Sequence, residues 1–179
     1  QVEIIGPDAE RFVRYLTPRD LKGLEIGRGK YVPICDHGGR LLNDPVLLRL
    51  EEHKFWFSIA DSDMLLWVRA IANERGYEVA VHEPDVSPMA IQGPKAVEVV
   101  ADLFGDWVRD LKHFWFKQTE IEGIPLVVAR SGWSKQGGYE LYLCDGTRGA
   151  ALWDMVKEAG TPFDIGPGAP NYIERVESG

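Results

Sequence analysis

VEIIGPDAERFVRYL, residues 2–16, and MAIQGPKAVEVVADLF, residues 89–104, follow one pattern. Each opens with a short apolar run of strand length, turns at Gly-Pro, and continues as an amphipathic helix. Proline suits such a turn, because a helix leaves its first N–H groups without intrahelical partners anyway. In the first copy Phe12, Leu16 and the neighbouring Val13 and Tyr15 make the expected buried face, and Pro18 ends the helix. Two copies in one chain make an internal repeat the first question about the fold.

Reading outward, KYVPIC (30–35), a turn signal at Asp36 to Gly39, PVLLRL (45–50) and FWFSIA (55–60) predict antiparallel strands on short turns. Asp61 and Ser62 suit the N-cap of a helix over 62–76. Its apolar positions are Leu65, Leu66, Val68, Ile71 and Ala72, and Gly76 is its stop. YEVAVHEP (77–84) reads as a strand. In the second half WFKQTEIEG and IPLVVARSG pair around Gly123, GGYELYL (137–143) is a third strand, and TRGAALWDMVKEAG (147–160) is a helix. Asp145 or Thr147 caps that helix and Gly160 closes it.

Gly6-Pro7 matches Gly93-Pro94, Leu66-Trp67 matches Leu152-Trp153, and Gly76 matches Gly160, an offset of about 85 residues. Each half reads β-α-β-β-α-β, the split βαβ order. The fold class expected is α+β, with two related split βαβ (ferredoxin-like) modules over residues 1–86 and 87–179. Ordinary patterning in two similar halves is the alternative.

The 179 residues carry a net charge of -8 and a pI near 5.0. With no basic stripe, nucleic acid is a poor partner. No stretch is apolar for long enough to span a bilayer, so no membrane role is expected. Cys35 and Cys144, with His37, His53, His82 and His113, show no metal-ligand spacing. A reducing cytoplasm and no metal are the expectation. The chain starts at Gln1 directly in a strand and ends YIERVESG with an element barely under way, which reads as a piece of a longer protein.

Three stretches can carry chemistry. In GGRLLNDPVLLRL (38–50), Asn43-Asp44-Pro45 reads either as a turn or as a carboxylate at the lip of a strand. In SGWSKQGGYELYL (131–143), alternation puts Glu140 and Tyr142 on one strand face. A glutamate accepts two hydrogen bonds side by side from an amino group and a ring N–H. Trp133 and Tyr142 supply flat apolar walls with polar tips. The bland alternative is a solvated strand face. In FWFSIADSDMLLW (55–67), Ser58 and Asp61 stand where a strand passes to a helix, and capping explains Asp61 and Ser62 without function.

Taken in order, GPDAERFVRYLT, GGRLLNDPVLLRL, DVSPMAIQGPKA and SGWSKQGGYELYL resemble the glycine-cleavage T-protein (aminomethyltransferase) family over nearly the whole chain. LLNDPVLLRL, IADSDMLLW and EPDVSP are most similar to its demethylase branch, which acts on dimethylsulfoniopropionate or aryl methyl ethers. The resemblance implies a tetrahydrofolate-binding fold and transfer of a one-carbon unit to the N5 nitrogen of tetrahydrofolate. It implies that Glu140 holds the amino-pyrimidine edge of the pterin, with Trp133 and Tyr142 as pocket residues and Tyr31 near the folate; Asn43 and Ser58 are further binding candidates. Asp44, Tyr31 and Tyr142 are its catalytic candidates. Asn43 stands where aminomethyltransferases carry a catalytic aspartate, Gln136 replaces a glutamate, and Asn171 falls where they often carry a folate-contacting arginine. These departures point to a small-molecule methyl donor. A lipoyl carrier protein belongs only to the aminomethyltransferase alternative, and a non-catalytic folate-binding module is the third.

Overall fold

The computed structural model describes residues 1–59, 63–169, 173 and 176. The chain divides into two compact units, Gln1–Pro84 and Asp85–Gly179. The caps expected at Asp61 and Ser62, and Asn171, lie outside the described residues.

The first unit runs β1 (Val2–Ile5), α1 (Ala9–Leu16), β2 (Arg28–Tyr31), β3 (Ile34–Cys35), β4 (Leu41–Asn43), β5 (Val46–Glu51), β6 (Lys54–Ser58), α2 (Leu65–Arg75) and β7 (Ala80–His82). Its main sheet has the order β2-β5-β6-β1-β7, and every neighbouring pair is antiparallel. β1 and β5 therefore run parallel on either side of β6, and β6 and β7 on either side of β1. That is the split βαβ arrangement, with β2 added at an edge. The single strand expected over KYVPIC breaks at Val32-Pro33: β2 pairs with β5, whereas β3 pairs with β4 in a small hairpin. Proline has no N–H to continue a ladder.

The helices cover one sheet face, where Val2, Ile4, Phe12, Val13, Leu47, Phe55, Phe57, Val68 and Ile71 form the core. Tyr15 belongs to the exposed side of α1, contrary to the expected face. Its ring lies 6.0 Å from that of Tyr77, with the Arg75 guanidinium 4.5 Å from its centre, so it packs at the rim with its polar tip in water. Leu66 is 71% exposed and also leaves the core stripe. α2 starts at Leu65, whose N–H donates to Asp63 Oδ1 at 2.7 Å. Gly76 ends it at φ 68°, a left-handed conformation open to glycine, and its N–H reaches the Ala72 and Asn73 carbonyls.

The second unit runs β8 (Ser87–Gln92), α3 (Ala96–Phe104), β9 (Phe116–Ile121), β10 (Ile124–Ala129), β11 (Gly138–Leu143) and α4 (Gly149–Gly160). Its antiparallel sheet has the order β8-β11-β10-β9. The α+β class and the repeated Gly-Pro entry stand. Ala9 N–H bonds Gly6 O at 3.0 Å, and Ala96 N–H bonds Gly93 O at 3.1 Å.

The described residues of this unit run β-α-β-β-β-α, with β9 at the edge where β2 stands in the first unit and β10, β11 and β8 in the places of β5, β6 and β1. β11 precedes the last helix and takes the place beside the first strand that β6 takes in the first unit. As a result β8 and β9 run antiparallel at opposite edges. The alternation of GGYELYL suits that central place, because Tyr139, Leu141 and Leu143 bury against α3 and α4 while the intervening residues turn to the other face. Gly160 does not stop α4 by a left-handed turn. It is the helix's last residue, and a Cβ there would stand 2.3 Å from Ile165 Cγ2, so its role is close approach. Asp145 caps a short 3-10 turn ahead of α4 by accepting from Thr147 N–H. Among the described residues no helix is long and apolar enough to cross a membrane.

Candidate functional site

Each sheet has one face without helices, and most of the candidate side chains belong to these faces. In an antiparallel sheet, directly opposed residues share a face. In the first unit Tyr31 opposes Val46 and Val46 opposes Ser58, giving one row across β2, β5 and β6. A parallel row runs Leu48, Trp56, Glu3 and His82. Tyr31 is 42% exposed, and its hydroxyl donates to Asp44 Oδ2 at 2.8 Å. Asn43 is buried at the end of β4, and Asp44 is half-buried. Tyr31 and Asp44 thus meet directly. Ser58 is two strands away from Tyr31, about 10 Å by strand spacing.

In the second unit Glu140 opposes Ala90 on β8 and Ala129 on β10. Along its own strand its same-face neighbours are Gly138 and Tyr142. Three of the four positions around the carboxylate therefore carry no more than a methyl group. Tyr142 closes the fourth side and is 1% exposed. Glu140 Oε2 accepts from the Ser131 hydroxyl, and from Tyr142 Oη at 3.4 Å. Among the described residues Oε1 takes no hydrogen bond within the unit. A half-exposed carboxylate on a rigid central strand, flanked by small residues, can take a flat ring edge with two adjacent donors.

Trp133 lies in the loop between β10 and β11 and is 42% exposed. On the opposite face Tyr139 is buried and donates to Val108 O at 2.9 Å. Burial pushes its phenol pKa up, with Arg130 and Arg109 pulling it down. Tyr139 is therefore a core residue, while Glu140 and Tyr142 belong to the helix-free face.

Two residues of this site carried no sequence signal of a role. Ser131 is 4% exposed and is the donor on Glu140. Gln92, at the end of β8, reaches the backbone of both Ser131 and Tyr139. Ser131 meets Glu140 across a loop, and the partners of Gln92 lie 39 and 47 positions away, so no local pattern announces them. A hollow of about 460 Å³ at the far side of α3 and α4, lined by Leu103, Ile121, Met155 and Phe163, involves none of the candidate residues.

An acidic α+β chain with a carboxylate framed by small residues on a helix-free sheet face has a family. The chain belongs to the GCVT N-terminal domain family, whose pattern matches residues 1–179. It is 47% identical over 179 residues to dimethylsulfoniopropionate demethylase DmdA of Ruegeria pomeroyi, covering 100% of this chain and 49% of that protein. It is 30% identical over 184 residues to the heme-dependent oxidative N-demethylase gamma subunit of Ectopseudomonas mendocina (99% of this chain, 47% of the relative). Over 172 residues it is 28% identical to an aminomethyltransferase of Alkaliphilus oremlandii (93% and 46%). The structure of glycine cleavage system aminomethyltransferase T from Bartonella henselae superposes with a TM-score of 0.75 at 25% identity, over 87% of this chain and 42% of that one. The chain spans about half the length of the curated relatives it matches.

Proposed function

We propose that the protein is a tetrahydrofolate-dependent methyltransferase, moving a methyl group from a small sulfonium or aryl methyl ether donor to N5 of tetrahydrofolate. One observation carries the reading: Glu140 stands on a helix-free sheet face between Ala90, Ala129 and Gly138, with Ser131 on one oxygen. That frame fits the flat amino-pyrimidine edge of a pterin. The 47% identity to a demethylase supports the methyl-donor branch, as does Asn43 in place of an aspartate.

When bound, tetrahydrofolate would supply the N5 lone pair that takes the methyl group as the donor's sulfur– or oxygen–carbon bond breaks, its N5 proton passing to solvent. The chain's own residues do the rest. Glu140 orients the ring, and Tyr142 fixes Glu140 from the buried side. Trp133 and Ser58 are further binding residues, and Asn43 lies beside Asp44. Tyr31, held by Asp44, donates the proton that an ether leaving group needs, whereas a sulfonium donor leaves as a neutral thioether and needs none. Positioning and exclusion of water carry much of the rate. A cytoplasmic setting fits two cysteines that form no disulfide.

Glu140→Gln should weaken tetrahydrofolate binding by about 1–3 kcal/mol, the range for a charge-assisted pair. Anaerobic titration of the complete protein tests this, and unchanged affinity would sink the reading. The aminomethyltransferase alternative is favoured by the names of several relatives. It requires a lipoyl carrier protein as partner, and formation of methylene-tetrahydrofolate decides between the two.

A further inference from the structure

The loop between β10 and β11 carries Trp133 and, near its start, Ser131, the donor on Glu140. Its shape is set from a neighbouring strand by one side chain. Gln92 Nε2 donates to Ser131 O at 3.3 Å, at the start of the loop, and to Tyr139 O at 3.2 Å, just past its end. Its own neighbour's carbonyl, Ile91 O, lies at 3.3 Å. On the other side of the amide, Gln92 Oε1 accepts from Ser134 Oγ at 2.8 Å, and that hydroxyl in turn accepts from Gln136 N–H at 3.3 Å. Gly93 N–H adds a bond to Gly137 O at 3.0 Å. The start, middle and end of the loop therefore converge on the Gln92 amide.

The glycines of the motif are what admit it. A Cβ at Gly132 would stand 2.0 Å from Gln92 Oε1, and one at Gly138 would stand 2.5 Å from Nε2. The amide is threaded between two residues that have no side chain. The bonds to Ser131 O and Tyr139 O are long, so each is weak, and the order they impose comes from their number and their enclosure.

We propose that Gln92 is a positioning residue for the pterin site: it holds the loop so that Ser131 meets Glu140, and it acts on ligand binding through Ser131. This rests on the reading of the Glu140 face as the pterin site.

The test is a thermodynamic cycle on the complete protein with tetrahydrofolate as the probe, measured anaerobically for the parent, Gln92→Met, Ser131→Ala and the double variant. Glu140→Gln is the control. Methionine keeps the length of the side chain and removes its hydrogen bonds. The expected result is a loss of about tenfold in affinity for Gln92→Met, with little further loss when Ser131→Ala is added. Amide exchange should quicken over 131–138 and stay slow in β10. Gly132→Ala is a second route: the three atoms nearest its added Cβ belong to the Gln92 side chain, so it displaces the amide without deleting it, and at φ 157° it strains the loop backbone as well. It should give the same pattern.

Additive losses would overturn the inference, since Gln92 would then act independently of Ser131. Unchanged affinity with a loosened loop, or an unchanged loop, would overturn it as well. If Glu140→Gln weakens binding while Gln92→Met and Gly132→Ala do not, only the positioning role falls. If the ligand binds and Glu140→Gln leaves its affinity untouched, the site reading falls and takes the positioning role with it.

Discussion

The Ser131 hydroxyl donates to Glu140 Oε2. The two residues are nine apart in sequence, Ser131 near the start of the loop that joins β10 to β11 and Glu140 on β11 beyond its end. A hydroxyl fixed to one oxygen orients the whole carboxylate and leaves the other oxygen open to a ligand. Ser131→Ala should therefore cost about 1 kcal/mol of stability, the usual net value of one hydrogen bond. It should also weaken tetrahydrofolate binding by roughly three- to tenfold. Urea unfolding and ligand titration on the same variant measure the two effects. A stability loss with unchanged affinity would show that the bond serves the fold alone.

Among the described residues of the first unit, Glu3 is the buried carboxylate, 7% exposed. It accepts from Trp56 Nε1 at 2.6 Å, and Lys54 Nζ and His82 Nε2 lie at 3.2 and 2.9 Å. Glu3→Ala removes the acceptor for a buried indole and the counter-charge of a lysine. The expected cost is about 2–4 kcal/mol. Glu3→Gln keeps an acceptor for the indole and should cost less. Denaturant midpoints for the two variants decide, and equal losses would mean that the charge, not the hydrogen bond, matters.

Tyr31→Phe separates chemistry from fold. The phenol is well exposed, so losing its bond to Asp44 should change stability by no more than about 0.5 kcal/mol. With an aryl ether donor, turnover should fall by about 10²-fold, the lower range for loss of a general acid. With a sulfonium donor it should hardly change. An equal fall with both donors would remove Tyr31 from the proton role.

Acid should weaken the first unit through α1. The Asp8 carboxyl is held below its ordinary range first by the Glu78 N–H and then by Arg11. Glu10 is held down first by Arg14, with Arg49 also close, against a smaller upward push from burial. A folded-state pKa below the unfolded one contributes stability above the unfolded value, near pH 4 for carboxylates. That contribution is lost as pH falls through the folded values. Denaturant midpoints should drop between about pH 5 and pH 3, and Arg14→Gln should flatten the drop.

Local signals carried the sequence reading where local physics decides the structure. The Gly-Pro entries, the stop at Gly76 and the alternation of residues 139–143 each rest on neighbours in sequence. The same alternation placed Glu140 and Tyr142 together on the helix-free face. Where partners are distant, the reading gave no signal or the wrong one. Tyr15 and Leu66 fit a helical stripe, yet the neighbouring elements leave them exposed. The place of β11 beside β8 depends on pairing across the unit, which periodicity does not encode. Gln92 looks like an ordinary strand-end residue until its contacts 39 and 47 positions away are known.

The register of β8 against β11 sets Gln92 opposite Gly138, whereas β9 and β10 meet across a tight turn at Gly123. Pairing β8 with β11 closes by far the longer loop, and its entropy is repaid only after the local hairpins exist. The amide of Gln92 is then a late fastening, absent from the folding nucleus. Its loss should speed unfolding and leave the refolding rate nearly unchanged, so the residue that shapes the site also governs how long the site lasts.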